Sequence, residues 1–323
     1  MGKLSLLCRF TLALAVLAPF TTSTAPAQDG AAAYAIVDST TGYPLDGVNA
    51  HKKLQVGSLT KVATAMVVLD WADATGQDLG QLATIPQGAA ALNTGAGVGF
   101  QAGDQCSLRD LLYAALLQSD NTAAQTLADH VGRSLPAPPD AEVGPGTIFV
   151  THMNALARNK GMVNTLFLNP HGLDHLEKKL PHSTAADMAR LTSYAMANSA
   201  FRFYVSQKER KITFTTATGE PSSYLLRNTN ELLGVGAIDG VKTGQTRRAG
   251  PCLIISEAKP PESRQEGEKH IITPRRINVV VLGAPNRFPV ARDLMAKGWQ
   301  LYDTWAAAGR PMTTERDRPE RRR

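Results

Sequence analysis

The chain has 323 residues, of which 43% are hydrophobic, 19% charged and 6% aromatic, and its formal net charge at neutral pH is +6. This length and hydrophobic content suffice for one catalytic unit of two lobes, and no internal repeat is visible. Because aromatic residues are few and are not interleaved with basic ones, the composition argues against a nucleic-acid partner.

Residues 1–27 have the pattern of a cleavable export signal. Lys3 and Arg9 form a basic start, an apolar run covers residues 10–20, and Ala25-Pro26-Ala27 is a small-residue cleavage site. The apolar run is too short to span a bilayer, and no later stretch reaches spanning length. We therefore expect export to the periplasm or cell-wall space, with a net charge of about +4 after removal of the signal.

Hydrophobic patterns predict strands near both ends of the remaining chain and helices between them. Five strands are predicted, at residues 31–38, 43–48, 241–247, 249–256 and 271–283, with a closing helix at 290–307. Helical patterns cover residues 56–76, 108–130, 148–160 and 183–198, and a hairpin is predicted from 211–214 and 223–226. The charged segment 259–269 is predicted to be a solvated loop. One sheet, split in the sequence, thus encloses a mainly helical insert.

The predicted helix at residues 56–76 is the segment around which a site is expected. Within residues 62–69 only Thr64 is polar, so this helix should be buried around most of its circumference. Ser58 and Lys61 lie three residues apart, which places a hydroxyl and an amine on one face of a helix. A serine becomes nucleophilic when a neighbouring base takes its proton, and a lysine can be that base only when its amine is neutral.

Two further motifs accompany this Ser-x-x-Lys pattern. Ser119-Asp120-Asn121 follows an apolar stretch, and Lys242-Thr243-Gly244 lies in a predicted strand. A Ser-x-x-Lys match alone is uninformative, since Ser256-Glu257-Ala258-Lys259 also fits it at the end of a predicted strand. The three motifs together occur in the order and rough spacing found in penicillin-binding proteins and class A β-lactamases.

The chain resembles the serine-type D-alanyl-D-alanine carboxypeptidases among the low-molecular-mass penicillin-binding proteins. Beyond the three motifs, the similarity includes residues 169–174, 183–188 and 238–250, and it covers roughly residues 33–299. It implies a mixed α/β fold of the α+β type, the two-lobe serine β-lactamase and penicillin-binding fold, with a five-stranded antiparallel sheet flanked by helices and a mainly helical insert. The implied catalytic domain is 28–309, with a sheet lobe at 28–57 and 236–309, a helical lobe at 58–235, and a disordered basic tail at 310–323.

By this resemblance the chain removes the terminal D-Ala from peptidoglycan stem peptides through an acyl-enzyme, needs no cofactor and is inhibited by β-lactam antibiotics. Ser58 is the expected nucleophile and Lys61 the expected general base. A free lysine titrates near about 10.4, so action at neutral pH requires the pKa of Lys61 to fall by roughly three units. The charge of Lys242, across the cleft, is expected to contribute to that fall.

The middle motif receives its roles from the same resemblance. Ser119 is expected to relay a proton to the leaving amine, and Asn121 to hold Lys61 and the substrate backbone. Asp120 is expected to point away from the site. The alternative interpretation of Ser-Asp-Asn is a simple helix cap, since all three residue types favour that position.

The third motif is expected to bind substrate. The backbone amides of Ser58 and Gln245 would form an oxyanion hole; Gln245 replaces a more usual histidine, but only its amide is needed. Thr243 would line the substrate channel. Gly244 would let the substrate lie along the strand edge without a side chain in the way.

A carboxypeptidase must recognise a chain-terminal carboxylate, and a guanidinium matches a carboxylate geometrically. Family members place an arginine at the spacing of Arg287, just after the last predicted strand. We expect Arg287 to bind the carboxylate, the alternative being a surface salt bridge. Arg247 and Arg248 are nearer to the Lys-Thr-Gly motif but are adequately explained as solvated residues of a turn.

The cysteines and histidines do not indicate a metal or a required disulfide. Cys8 leaves with the export signal, and whether Cys106 and Cys252 pair is left open. One cluster could suggest a metal site, namely His171, Asp174, His175 and His182. Gly172 interrupts a helical spacing of the histidines, and the resemblance makes this stretch a structural loop, so we expect no metal.

Three other functions compete with carboxypeptidase. A class A-like β-lactamase needs a glutamate to activate the deacylating water, and between Thr122 and Leu176 the only glutamate is Glu142, without the expected asparagine after it. A D,D-endopeptidase that cleaves peptidoglycan cross-links remains the main alternative. A non-catalytic penicillin sensor would need a membrane span, which is not predicted.

Membrane attachment is also left open by the sequence. Family members often continue into a second β domain and an amphipathic anchoring helix, whereas this sequence stops soon after Trp305. The arginine-rich residues 310–323 are expected to be solvated, with peripheral contact to membrane or wall polymer as the alternative.

Overall fold

The computed structural model describes residues 30–93, 95, 97–137, 143–176 and 178–312. The predicted export signal at 1–27 and most of the predicted tail, residues 313–323, lie outside this range and stay predictions. None of the helices in the described part of the chain combines the length and apolar character that a membrane span requires.

Nine strands and eight α-helices make up the described residues. The strands are β1 (Ala33–Asp38), β2 (Pro44–Val48), β3 (Leu82–Thr84), β4 (Gln105–Ser107), β5 (Glu209–Thr215), β6 (Pro221–Arg227), β7 (Ile238–Thr246), β8 (Gly250–Glu266) and β9 (Lys269–Leu282). The helices are α1 (Lys61–Thr75), α2 (Gln87–Ala90), α3 (Leu108–Leu117), α4 (Asn121–Gly132), α5 (Pro145–Asn159), α6 (Ala185–Ala197), α7 (Ser199–Val205) and α8 (Arg287–Ala307), and a 3₁₀ turn, Gly57–Thr60, leads into α1.

The central sheet has five antiparallel strands in the order β2-β1-β9-β8-β7, which confirms the predicted sheet. The chain therefore leaves the sheet after β2, forms the helical part, and returns to add β7 at the edge. The division into lobes at 28–57, 58–235 and 236–309 stays a prediction. What matters for the site is that β7 is an edge strand, against which the 3₁₀ turn packs.

Both faces of this sheet are buried. Along β1, Tyr34 and Ile36 belong to the apolar cluster beneath α8, whereas Ala33 and Ala35 belong to the larger cluster shared with the helices. Successive strand residues point to opposite faces, so an unbroken apolar run is what a strand covered on both sides requires. This is why β1 and the inner part of β9 lack polar alternation.

Helix α1 lies at the centre of the larger cluster. Of its first twelve residues only Asp70 is not buried, which confirms the expectation of burial all around. Gly76 ends the helix in a left-handed conformation with φ 67°, as its position at the end of the apolar pattern indicates. The site residues on α1 are therefore held by packing on every side.

The predicted helix at 108–130 is in fact two helices. Ser119 has φ 64°, a left-handed conformation that cannot continue a helix, so α3 ends just before it. The side chain of Asp120 then caps α4 by accepting a hydrogen bond from Ala123 N at 2.8 Å. The Ser-Asp-Asn motif thus forms the corner between two helices.

The insert also contains a second sheet that the sequence did not reveal in full. The predicted hairpin is confirmed as β5 and β6, and it pairs further with β4 and β3 in the order β3-β4-β5-β6. Strands β3 and β4 have only three residues each, which is too short for a period of two to be recognised.

The prediction of a solvated loop at 259–269 is wrong. Strands β8 and β9 continue through it as a paired arm that turns at Gly267, whose φ is +61°. Pro260 and Pro261 suggested a loop, but they lie at a bulge between Lys259 and Glu262 where the ladder shifts register. Backbone pairing joins the two strands of the arm, and Glu262 forms ion pairs with Arg275 of β9 and with Arg310. The arm therefore needs no apolar face.

Candidate active site

The 3₁₀ turn places Ser58 beside the edge strand of the sheet. Gly57 has φ +53°, and a Cβ built on it would lie 3.2 Å from the amide nitrogen of Gln245. A side chain at residue 57 would therefore both strain the backbone and crowd strand β7. Glycine lets the turn bring the backbone of Ser58 close to that of Gln245.

Lys61 is fully buried, and its amine has three hydrogen-bond partners. Its Nζ lies 2.9 Å from Ser58 Oγ, 2.8 Å from Asn121 Oδ1 and 2.8 Å from the backbone oxygen of His171. Burial lowers the pKa of Lys61 to about 7, and the nearby negative charge of Asp120 opposes that shift. The structure thus brings both Ser58 and Asn121 into hydrogen-bond contact with Lys61.

The source of the shift differs from the sequence-based expectation. Burial, not the charge of Lys242, lowers the pKa of Lys61. Lys242 is also fully buried, and its pKa is lowered well below its ordinary value by burial and then by the charges of Lys61 and Arg287. The repulsion between the two buried amines therefore acts on the pKa of Lys242, whereas burial accounts for the lowered pKa of Lys61.

The three residues of the Ser-Asp-Asn corner have different surroundings. Asn121 contacts Lys61, and Asp120 holds the backbone next to the site. Asp120 is buried; its two carboxylate oxygens accept from Ala123 N and from Val98 N, so it faces the helix start and the preceding loop. The hydroxyl of Ser119 makes no hydrogen bond within the described residues. Of the three motif residues, Asn121 touches Lys61 and Ser119 keeps a free hydroxyl.

Strand β7 carries the third motif. Lys242 Nζ donates to the backbone oxygen of Thr243 at 3.0 Å. The hydroxyl of Thr243 lies 2.6 Å from that of Thr229, whose amide donates to the backbone oxygen of Leu117. Thr229 therefore ties the motif strand to the end of α3, a role that the sequence alone did not indicate.

The packing around Gly244 gives it a reason to be glycine that the sequence did not indicate. A Cβ at Gly244 would lie 2.8 Å from the backbone oxygen of Val56 and 3.1 Å from the amide of Leu59. The missing side chain is needed for close packing of β7 on the 3₁₀ turn. This packing contact does not bear on the predicted role of Gly244 in substrate binding, which stays a prediction.

The loop formed by residues 169–174 closes the back of the site. Asn169 braces it, since its side chain accepts from Gly172 N and donates to the backbone oxygen of Leu173. At one end Pro170 O accepts from the hydroxyl of Thr64 on α1 at 2.6 Å. At the other end the carboxylate of Asp174 accepts from the hydroxyl of Thr246 on β7. The loop thus connects the base helix to the motif strand.

His171 contributes its backbone, not its ring, to Lys61. Burial, together with the charges of Lys61 and His175, lowers the pKa of His171 to about 3, so the ring is neutral.

Within the described residues no three histidine, cysteine or acidic side chains lie close enough to hold a metal ion. The cysteines also stay apart: Cys106 and Cys252 are buried free thiols, with pKa values raised by burial to about 12 and about 11.

Arg287 lies at the start of α8 and reaches the motif strand. Its Nη1 donates to the backbone oxygen of Gly244 at 3.0 Å, and its guanidinium carbon lies 4.9 Å from the centre of the Phe288 ring. It forms no ion pair within the described residues, so the alternative of a surface salt bridge has no partner there. Its remaining N–H groups form no hydrogen bond within the described residues.

The second Ser-x-x-Lys match is not a site. Ser256 and Lys259 lie in strand β8, where residues three apart point to opposite faces. Ser256 is buried and accepts from Arg276 at 2.8 Å, while Lys259 Nζ lies 4.3 Å from the centre of the Trp299 ring. The same sequence spacing makes a pair in α1 and no pair in β8.

Comparison with known proteins identifies the family of this chain. The family model for peptidase family S11, D-alanyl-D-alanine carboxypeptidase, matches residues 20–265. The D-alanyl-D-alanine carboxypeptidase DacC of Escherichia coli is 32% identical over 303 residues, which cover 91% of this chain and 67% of that protein. The chain spans about two thirds of the length of such curated relatives. Others, from Pseudomonas aeruginosa and Escherichia coli, are named D-alanyl-D-alanine endopeptidases.

Solved structures confirm the fold. A mutant of the Streptomyces K15 DD-transpeptidase superposes with a TM-score of 0.69 at 28% identity and covers 84% of this chain and 98% of its own. Penicillin-binding protein D2 from Listeria monocytogenes in its ampicillin-bound form superposes with a TM-score of 0.63 at 28% identity, covering 84% of this chain and 97% of its own. The predicted two-lobe penicillin-binding fold is confirmed. The chain belongs to the D-alanyl-D-alanine carboxypeptidase family of serine peptidases.

Proposed function

We propose that this chain is a D-alanyl-D-alanine carboxypeptidase that removes the terminal D-Ala from peptidoglycan stem peptides through an acyl-enzyme on Ser58. The observation that carries the proposal is the 2.9 Å contact between Ser58 Oγ and the buried amine of Lys61, whose pKa burial lowers to about 7. A hydroxyl beside an amine that is partly neutral at physiological pH is the pair that nucleophilic catalysis by serine requires.

The surroundings of Lys61 orient its lone pair. A neutral amine has two N–H groups and one lone pair, and the carbonyl oxygens of the Asn121 side chain and the His171 backbone can only accept. They take the two N–H groups, at 2.8 Å each. The lone pair is then left for the proton of Ser58. Lys61 is therefore suited to act as the general base.

In the acylation step, Ser58 Oγ attacks the carbonyl carbon of the penultimate D-Ala while Lys61 takes the hydroxyl proton. The C–N bond then breaks as the proton held by Lys61 passes through the hydroxyl of Ser119 to the departing amine, and water later hydrolyses the ester and frees Ser58. The backbone amides of Ser58 and Gln245 are the candidate donors to the oxyanion. Loss of one such donor typically costs about 10²-fold in rate.

The terminal carboxylate is assigned to the cationic side of the site, formed by Lys242, Thr243 and Arg287. The charges of Lys61 and Arg287 lower the pKa of the buried Lys242 because they disfavour its protonated form. A bound carboxylate would reverse this balance and favour the charged amine. Binding of an anion at this position is thus supported by the local excess of positive groups.

β-Lactam antibiotics are proposed inhibitors because the same acylation site would open their ring. The ampicillin-bound form of a relative supports this proposal. Hydrolysis of the resulting ester should be slow. The only glutamate between Thr122 and Leu176 is Glu142, which lies outside the described residues.

Incubation with a stem pentapeptide and with a cross-linked dimer, analysed by mass spectrometry, tests the activity. We expect loss of one D-Ala from the pentapeptide by the unchanged protein and none by Ser58→Ala. Cleavage of the cross-link at a comparable kcat/KM would favour the endopeptidase reading, which the names of some relatives support. Stability of both substrates with the unchanged protein would contradict the proposal.

We also propose that the protein acts in the periplasm or cell-wall space, where its polymer substrate lies. The support is the export pattern of residues 1–27. The arginine-rich residues 310–323 are a candidate for peripheral contact with wall polymer or acidic lipid. An N-terminus at Gln28 in the protein recovered from its native cell would support export, and an unprocessed N-terminus would argue against it.

A further inference from the structure

The turn between β7 and β8 carries two adjacent arginines that the proposed reaction does not use. Arg247 and Arg248 are both exposed, and neither guanidinium forms a hydrogen bond, an ion pair or a ring contact within the described residues. Each of the other described arginines after residue 238 has such a partner, namely Arg264, Arg275, Arg276, Arg287, Arg292 and Arg310. The two guanidinium groups therefore lack a partner within the described residues, in a part of the protein where each of the other described arginines has one.

The backbone that carries this pair is fixed. The hydroxyl of Thr246 donates to the buried carboxylate of Asp174 and accepts from Ala249 N at 2.9 Å. Ala249 is itself buried. Arg247 and Arg248 thus lie between two anchored residues, so their charges are held at one end of the motif strand and not on a mobile loop.

The direction of the substrate along β7 follows from the assignments already proposed. The terminal carboxylate is placed at Lys242 and Arg287, and the scissile carbonyl at the amide of Gln245. The acyl part of the peptide must then continue beyond Gln245 toward the end of the strand. Arg247 comes two residues after Gln245 and directly after the last residue of β7, Thr246, so at most roughly 7 Å separates its Cα from that of Gln245. That distance corresponds to the residue before the penultimate D-Ala, including its side chain.

We infer that Arg247 and Arg248 form a subsite for a second carboxylate, carried by the stem-peptide residue that precedes the penultimate D-Ala. The inference rests on the proposed function and names its substrate class as stem peptides with a free, non-amidated acid at that residue. Guanidinium groups without an internal partner favour such an anion over its neutral amide. Because both arginines are exposed, the preference should be moderate and sensitive to salt.

Two peptides that differ only in this charge test the subsite, acetyl-Glu-D-Ala-D-Ala and acetyl-Gln-D-Ala-D-Ala. The unchanged protein should hydrolyse the anionic peptide with a kcat/KM about fivefold higher, mainly through KM. The double variant Arg247→Gln/Arg248→Gln should bring the ratio to about one while leaving hydrolysis of the neutral peptide within about twofold. Raising salt from about 0.1 M to about 1 M should also reduce the ratio.

A control variant removes two positive charges from exposed arginines at other places on the surface. Arg158 on α5 and Arg190 on α6 are exposed and also make no side-chain contact within the described residues. Arg158→Gln/Arg190→Gln should keep the fivefold preference, which separates a local subsite from the overall charge. A preference that survives in the Arg247→Gln/Arg248→Gln variant, or that disappears in the control variant, would overturn the inference.

The subsite can be tested even if neither peptide is hydrolysed. Carbenicillin differs from benzylpenicillin by a carboxylate in its side chain, which occupies the acyl side of the drug. We define the ratio as the rate of acylation of Ser58 by carbenicillin divided by the rate with benzylpenicillin. This ratio should be lower in Arg247→Gln/Arg248→Gln protein than in the unchanged protein. Acylation with a reduced ratio but no peptide hydrolysis would support the subsite and contradict the carboxypeptidase activity. An unchanged ratio would overturn the subsite alone.

Discussion

The amine of Lys61 donates a hydrogen bond over 2.8 Å to the backbone oxygen of His171, which is 110 residues away in sequence. The same loop, residues 169–174, holds strand β7 through Asp174 and Thr246. One short loop therefore sets the position of the proposed base relative to the strand that carries the proposed oxyanion donor, Gln245. The loop should matter for activity because it holds both of these elements.

Gly172→Ala should lower the acylation rate by a β-lactam at least about tenfold. Gly172 has φ +85°, and a Cβ at this position would overlap the backbone oxygen of Gly57, so the turn that carries Ser58 must move. Stopped-flow or gel-based measurement of acylation checks the rate.

Gly219→Ala is the control for this change. Gly219 has a similar φ of +90° with nothing within 4 Å of a built Cβ, so it has the backbone strain without the crowding. It should cost about 1 kcal/mol of stability and leave the acylation rate unchanged. Equal rates for the two variants would show that the packing of Gly172 does not position Ser58.

Lys61→Ala should reduce acylation by about 10²- to 10⁴-fold, the usual contribution of a general base. No other amine contacts Ser58 within the described residues. The second motif supplies the control: Lys259→Ala and Ser256→Ala should acylate at the normal rate, and Ser256→Ala should lose some stability because Arg276 loses a hydrogen-bond acceptor. Loss of acylation in a folded Ser256 variant would place the site elsewhere.

The acylation rate should rise with pH, be half-maximal at about pH 7 and level off roughly one pH unit higher. Below its pKa of about 7, Lys61 holds a proton and cannot accept another, so the rate follows the neutral fraction. Asp120 raises this pKa by its charge; Asp120→Asn should therefore lower it and move the midpoint to more acidic pH. Rates with a β-lactam from about pH 5 to about pH 9 measure both midpoints. A midpoint that moves upward, or a flat profile, would contradict the assignment of Lys61 as the base.

Benzylpenicillin should form a stable adduct of intact-drug mass on Ser58, because the site is built for acylation and no deacylating glutamate is identified. Intact-mass and peptide mass spectrometry locate the adduct. Ser58→Ala protein should carry none. An adduct that decays within seconds would instead support a β-lactamase.

Arg287→Ala should lower kcat/KM on peptides that end in free D-Ala by about 10-fold or more, which is about 1.4 kcal/mol. Hydrolysis of the corresponding C-terminally amidated peptide should be nearly unchanged, because that peptide has no carboxylate for the guanidinium to bind. Arg287 also donates to the backbone oxygen of Gly244, so the amidated peptide reports any damage to β7. Equal losses on the two peptides would show that Arg287 supports the strand and does not read the end of the substrate.

The sequence by itself was enough to identify the central sheet, the buried helix and the family. Strands covered on both faces leave unbroken apolar runs, and Ser58, Lys61 and the other motif residues are recognisable because their side-chain types and short spacings are local properties. The same reasoning fails for strands that pair through their backbones without showing an alternating or continuous apolar pattern. The arm of β8 and β9 is polar and proline-containing, and β3 and β4 are too short to show a period.

Only the tertiary structure decided how the lysine is made neutral and what holds it. The contact from Lys61 is made to a backbone carbonyl of His171, and every residue type offers a carbonyl, so sequence carries no signal for it. The pKa of about 7 comes from burial, which sums contributions from distant elements and cannot be read from local spacing. For the same reason the tie from Thr229 to Thr243 and the packing of Gly244 on Val56 became visible only when the strand and the turn were placed together.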